Sequence, residues 1–145
     1  MSAITKPAQE VLDQTRHHTH PQCVVCGRVH ESGLGLCFSV RDDGSVEARF
    51  DCKAVYQGYE GVLHGGIASA LLDGAMTNCL FAHSVVAVTV ELTMHFRHPV
   101  EVGRPLIAQA RVLRLQKPLY LVEAALIQNG QVKATAIGKF MERAA

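Results

Sequence analysis

No run of basic residues longer than two occurs in the 145-residue sequence, and fourteen Lys and Arg against thirteen Asp and Glu leave a net charge of +1. The cationic patch that neutralises a phosphate backbone is missing, so DNA and RNA are not expected partners. Nor does any apolar stretch approach the roughly 18 residues of a membrane span. The opening segment MSAITKPAQEVLDQTRHH has neither the charged start nor the apolar block of a signal peptide. A cytoplasmic protein is expected. Cysteine is scarce and odd in number: there are five, and only Cys23 and Cys26 are closely spaced. Thiols or metal ligands in a reducing compartment suit that pattern better than a disulfide framework. A second Cys-x-x-C, an internal repeat and a low-complexity tract are all absent.

What is present fits one globular domain. Hydrophobic residues make up 48% and charged residues 19%, and a chain of this length buries a core without staples. Residues 5–16 predict a short peripheral helix with Thr5 as its cap and Ile4, Ala8, Val11 and Leu12 along one face. Residues 17–33, rich in His, Cys and Gly, read as an ordered loop, so that 1–33 forms an N-terminal helix and loop and 34–145 the main body. LGLCFSV and SVEARFDC flank Asp42-Asp43-Gly44 as a first hairpin. Residues 66–80 have helical length and no proline. Four strand-like runs follow, Val85–Arg97, Pro105–Leu115, Leu119–Gln128 and Gln131–Met141, the last two joined by Asn129-Gly130. In the first run Val86, Val88, Val90, Leu92, Met94 and Phe96 alternate with polar residues, which predicts one buried face. Without βαβ alternation the expected class is α+β, one long helix on one antiparallel sheet.

The helix is apolar around most of its circumference, as a buried helix is. Ser69, Asp73 and Thr77 form one narrow polar stripe at four-residue spacing, with Asn78 beside it. A carboxylate among apolar neighbours costs several kcal/mol unless it is paired. Asp73 is therefore either bonded to a structural partner or exposed to a cleft as a general base or nucleophile.

His64-Gly65-Gly66 stands where the chain enters this helix, and N–H groups at a helix start are unpaired donors carrying part of its dipole. Glycine lets a carbonyl approach them closely, as an oxyanion hole requires. Gly65 and Asp73 are eight residues apart, roughly 12 Å along one helix axis. One carbonyl cannot reach both. If both act, they come from different protomers of a homodimer with its helices antiparallel about a two-fold axis.

The stretches CVVCG, GLGLCF, GYEGVLHGGIASALLDGAM and TVELTMHFRHPV, with the C-terminal strand pair, span about Cys23 to Met141. Over that span the sequence resembles the hotdog-fold acyl-CoA thioesterases of the phenylacetate-degradation (PaaI-like) branch, related to the 4-hydroxybenzoyl-CoA thioesterases. The resemblance implies a curved antiparallel sheet wrapped around a central helix, and a dimer with sheets joined edge to edge, with pairing into a dimer of dimers. By position it places the carboxylate that activates water or attacks the thioester on Asp73, the amide donor to the thioester oxygen on Gly65, and a positioning hydroxyl on Thr89. Beside that donor, His64 is a further site residue, expected to brace the loop by a hydrogen bond to a neighbouring strand rather than to act first as a general base, and Gly66 is a candidate substrate-binding residue. Many relatives carry Asn or Gln six residues before the His of HGG, whereas this chain has Gly58, with Gln57 adjacent as a substitute. Thioester hydrolysis needs no metal or other cofactor, coenzyme A being part of the substrate, because the thiolate leaves readily.

Weaker signals remain. His20, Cys23, Cys26 and His30 have the spacing of a Cys/His zinc site. A CxxCG stretch also recurs in hotdog relatives that are not metalloproteins, so free thiols are the expectation and zinc the secondary reading. His17 and His18 belong to the loop, and His95 and Arg97 to a polar strand face suited to contact between dimers. Arg111, Arg114 and Lys117 are candidate partners for coenzyme A phosphates. Tyr56, Tyr59, Leu63, Met76 and Phe81 flank the catalytic segment as acyl-pocket or core residues. Two other functions compete: a hotdog hydratase or dehydratase, which pairs a catalytic His with an acid in another local pattern, and a non-catalytic acyl-CoA-binding protein, which needs no acid.

Overall fold

A computed structural model describes residues 6–28 and 32–143. Helix α1 (Gln9–Thr19) leads through a loop to strands β1 (Ser39–Val40) and β2 (Val46–Asp51), and a 3-10 turn at Ala54–Tyr56 precedes the long helix α2 (Gly65–Phe81). Four strands complete the chain: β3 (Ala87–Phe96), β4 (Pro105–Arg114), β5 (Leu119–Gln128) and β6 (Gln131–Glu142). All pair antiparallel in one sheet of order β1-β2-β4-β5-β6-β3. The class is α+β, as expected. Asn129 and Gly130 take φ of 53° and 72°, which a two-residue hairpin turn demands.

Helix α2 lies across the concave face of this sheet. Leu71, Leu72, Ala75, Met76 and Cys79 are fully buried there, against Leu106, Ala108, Val122, Leu126 and Phe140 of the strands. Each buried Leu contributes about 1.5–3 kcal/mol. Ser69, Asp73 and Thr77 of the predicted stripe are half-buried, and Asn78 beside it is fully buried.

Three expectations need correction. Helix α1 starts at Gln9 and extends to Thr19, taking in His17 and His18 from the supposed loop. Its end is held because Thr15 and Thr19 donate to the carbonyls of Val11 and Thr15, both at 2.7 Å. Thr5 and Ile4 lie outside the described residues, and Ala8 occupies the cap position without a side-chain bond. The helix is not merely peripheral, since Leu12 is buried, as are Val25 and Cys26 of the following loop. The first hairpin is shorter than predicted: Leu36 and Phe38 are buried in the core ahead of the two-residue β1.

The third correction concerns β3, the sheet's terminal strand. Val88, Val90 and Phe96 are 51%, 49% and 58% exposed in the single chain, so the alternating apolar face is not buried as a unit. A register shift between Thr89 and Glu91 leaves Val90 as an extra residue: Thr89 pairs with Phe140 and Glu91 with Lys139. Simple alternation puts Thr89 opposite Leu92. The bulge instead brings Thr89 onto the helix side together with Leu92 and Met94, because a bulge reverses the side-chain parity that follows it.

Candidate active site

The entry to α2 is built by His64. Its imidazole accepts the Gly66 N–H at Nδ1, 2.8 Å away, and so caps the helix where Ser, Thr or Asp usually would. That bond makes Nε2 the protonated nitrogen of the neutral ring. The expectation for Gly66 is narrowed accordingly, because its amide serves the cap. The N–H of Gly65, at the first helical position, has no acceptor among the described residues. It is exposed and carries the positive end of the dipole.

The capping ring also accounts for Gly58. A Cβ there would stand 3.2 Å from the His64 Cδ2 and 3.3 Å from its Cα, so a larger residue would press on the ring that seals the helix. Gln57 does not stand free as its substitute, since its Oε1 accepts the Gly61 N–H at 3.1 Å within its own turn. Val55, Tyr56, Gln57, His64, Gly66 and Ile67 line a shallow hollow of about 390 Å³ at the helix start. Of the five residues flanking the catalytic segment, Leu63, Met76 and Phe81 are core, Tyr56 packs on Phe50 with ring centroids 5.3 Å apart, and Tyr59 is exposed.

Two turns along α2 stands Asp73. Thr89 of β3 donates to its Oδ1 at 2.7 Å, a charge-assisted bond that fixes the carboxylate rotamer. Both bulge and stripe are needed for it: the stripe aims Asp73 at the terminal strand, and the bulge turns the hydroxyl inward. A built Cβ on Gly65 would instead meet Phe96, 3.9 Å away at the other end of β3. Gly65 and Asp73 thus lie under opposite ends of one strand, and the structure does not bring them together within the chain.

The remaining candidates sit apart. Arg114 donates to Gln116 at 3.2 Å, Lys117 pairs with Glu142 at 3.2 Å, and Arg111 forms a close ion pair with Glu123. All three are on the surface. His95, Arg97 and Arg111 line a larger hollow of about 640 Å³ on the sheet face turned away from α2, remote from Asp73 and Gly65. His20, Cys23 and Cys26 come together behind α2, while His30 lies outside the described residues. Burial pushes the Cys26 thiol up to about 11 and Cys79 up to about 12, and lowers His20 against the opposing pull of the nearby Asp73 carboxylate. Two residues that sequence reasoning did not connect with this corner are Arg16, buried and donating to the Cys26 carbonyl at 3.3 Å, and Asn78, whose side chain faces the Cys26 sulfur. Their sequence signal was slight: Arg16 continues the apolar face of α1, and Asn78 reads as a neighbour of the polar stripe of α2.

Residues 60–135 match the family model of the thioesterase superfamily. Among solved structures, the E. coli PaaI protein from the phenylacetic acid degradation operon is similar, with a TM-score of 0.80 and 20% identity over 94% of this chain and 96% of that one. A Streptococcus mutans UA159 protein bound to acetyl CoA gives a TM-score of 0.71 and 18% identity over 81% of this chain and 97% of that one. A further thioesterase superfamily protein gives 0.77 and 22% over 81% of this chain, which spans 62% of that chain's length. These likenesses establish the hotdog architecture. No curated protein matches the sequence, and no helix of the described residues is long and apolar enough to cross a membrane.

Proposed function

This chain belongs to the thioesterase superfamily, and from that premise we propose that it hydrolyses an acyl-CoA thioester to the free acid and coenzyme A. The observation that carries the proposal is the Thr89–Asp73 hydrogen bond of 2.7 Å on an otherwise apolar helix. A carboxylate held in one rotamer beside an open strand edge is placed to act as a general base. With Oδ1 engaged by Thr89, Oδ2 takes a proton from water as the hydroxide oxygen bonds to the thioester carbon. The resulting oxyanion is met by the Gly65 N–H. Collapse breaks the carbon–sulfur bond, and the coenzyme A thiolate receives the proton from Asp73.

The two halves meet in a homodimer. The free edge of β3 is open to pairing with the same edge of a second copy, about a two-fold axis near the strand's middle. In antiparallel pairing the Thr89 end of one strand comes opposite the Phe96 end of the other, which carries the partner's helix start toward Asp73. Exposed Val88, Val90 and Phe96 become covered in the same step. Each dimer then has two equivalent sites, and the polar far face of the sheet, with His95 and Arg97, is available for pairing dimers. The reaction calls for no cofactor, and the expected place of action is the cytoplasm.

Thiol release from short, medium, long and aromatic acyl-CoAs tests the proposal. Asp73→Asn keeps the shape of the side chain and removes its basicity, so turnover on the best substrate should fall about 10²–10⁴-fold. Unchanged hydrolysis by that variant would sink the assignment. Incorporation of oxygen-18 into Asp73 in a single turnover would replace water activation by direct attack.

A further inference from the structure

Between α1 and α2 lies a group of side chains that the proposed hydrolysis does not use, with His20 near enough to Asp73 to feel its charge. His20 ends α1, and Cys23 and Cys26 follow in the turn. One nitrogen or sulfur from each lies within 4.8 Å of the other two, and His20 Nδ1 stands 3.8 Å from Cys26 Sγ. Zinc bonds of about 2.3 Å to sulfur and 2.0–2.1 Å to nitrogen, set tetrahedrally, place ligand atoms about 3.6 Å (N to S) and 3.8 Å (S to S) apart. The three atoms therefore already converge to within about an ångström of a tetrahedral face.

The turn that presents them is closely built. A Cβ on Gly27 would stand 2.5 Å from the Cys23 nitrogen and 2.6 Å from its oxygen, so the chain folds back tightly enough to exclude any side chain there. The Gly27 N–H donates to the Cys23 carbonyl at 2.8 Å, and the Val25 N–H to the Cys23 sulfur at 3.4 Å. Asn78 of α2 faces the Cys26 sulfur while its Nδ2 donates to the Gly74 carbonyl at 2.9 Å, and its buried Oδ1 has no partner among the described residues. Such donors to sulfur stabilise a metal-bound thiolate. Arg16 and Arg28 both donate to the Cys26 carbonyl, at 3.3 and 3.1 Å, which pins the turn from either side. His20 is held edge-on to Phe81 with ring centroids 4.9 Å apart.

We infer that His20, Cys23 and Cys26 supply three of the ligands of a bound zinc ion. Two thiolates and one imidazole are the donor set that soft, tetrahedral zinc selects over magnesium or calcium. Two thiolates also cancel the dication, so the neighbouring Arg16 faces a neutral centre. The ion ties the end of α1 to a loop seated on the helix that carries Asp73. It is a structural staple, and its presence does not depend on the thioester reading.

Metal analysis of untagged protein, produced with zinc and purified without chelator, should give about one zinc per chain. Wild-type protein exchanged into cobalt(II) should show a thiolate-to-cobalt charge-transfer band and the intense visible bands of a tetrahedral site. Cys23→Ser and His20→Ala should lose the metal, and Cys37→Ser, which alters an exposed thiol, should keep it. Wild-type zinc below about a tenth of an equivalent together with no cobalt–thiolate band would overturn the site without recourse to any variant. Full metal content in Cys23→Ser, or an oxidised Cys23–Cys26 pair in the purified protein, would overturn it equally.

Discussion

Gly74 is the position where the helix and the cysteine loop press hardest on each other, and Gly74→Ala measures that contact. In a helix interior Ala is favoured over Gly by about 0.8–1.0 kcal/mol, so an unobstructed site would gain stability. Here the added Cβ would stand 2.4 Å from Val25 Cγ1, 3.3 Å from its Cβ and 3.7 Å from Cγ2, against the ordinary carbon contact of about 3.5–4.0 Å. Rotating Val25 about χ1 relieves the methyl but not the 3.3 Å approach of its Cβ. The loop itself is pinned by Leu34 N–H to the Val24 carbonyl at 2.7 Å and Leu36 N–H to the Val25 carbonyl at 2.9 Å. Overpacking of this kind costs about 1–3 kcal/mol. The expected net is a loss of about 1 kcal/mol, or about 2–4 °C in Tm. In a Val25→Ala background the γ-methyls are gone and only the 3.3 Å approach of the residue-25 Cβ remains, so Gly74→Ala should recover part of the helical gain, giving a coupling of about 1 kcal/mol. Urea unfolding of the four proteins at one fixed chain concentration reads out the cycle. Stabilisation of the wild type by the full helical amount, or additivity across the cycle, would refute the claim that this loop is seated rigidly on α2.

Two further predictions concern Thr89 and Cys79. Thr89→Val removes the hydroxyl that fixes Asp73 while keeping shape at an exposed position, so kcat should drop about 10- to 100-fold with KM and Tm little changed; a loss confined to KM would assign Thr89 to substrate binding instead. Cys79 titrates near 9.0 when unfolded and is pushed up to about 12 by burial, so the folded state keeps a proton that the unfolded state releases. The stability that Cys79 contributes should be lost as pH rises above about 9, on the order of 1 kcal/mol between pH 8 and 10, in addition to losses from the buried thiols of Cys26 and Cys52. Cys79→Ala should show that much less decline over the same interval in urea melts at each pH, and an identical decline would refute the burial argument.

How much of this was legible beforehand differs by element. Strands β4, β5 and β6 were readable because alternation and the Asn129-Gly130 turn act within a few residues of chain. Helix α2 and its Ser69–Asp73–Thr77 stripe were readable for the same reason, as four-residue spacing states a face directly. Contacts made across the fold were not. His64 as a cap has no local signature, because the usual capping residues are Ser, Thr, Asp and Asn. The side that Thr89 faces depends on the register of β3 against β6, which alternation within one strand does not encode. Val25 and Cys26 sit in the core through tertiary seating in a loop without apolar period. The Gly58 departure from the family pattern made sense after the His64 ring was seen against it.

The extra residue at Val90 makes the Thr89–Asp73 pair a matter of counting as well as of chemistry. Deleting Val90 would preserve every side chain of the pair, yet turn the start of β3 over, pointing Val88 at the carboxylate and Thr89 away from it. A deletion one residue long would then silence the acid as surely as replacing it, and a threonine at position 88 would be the compensating change. Chains related to this one can therefore be sorted by strand length on either side of that point before any residue identity is compared.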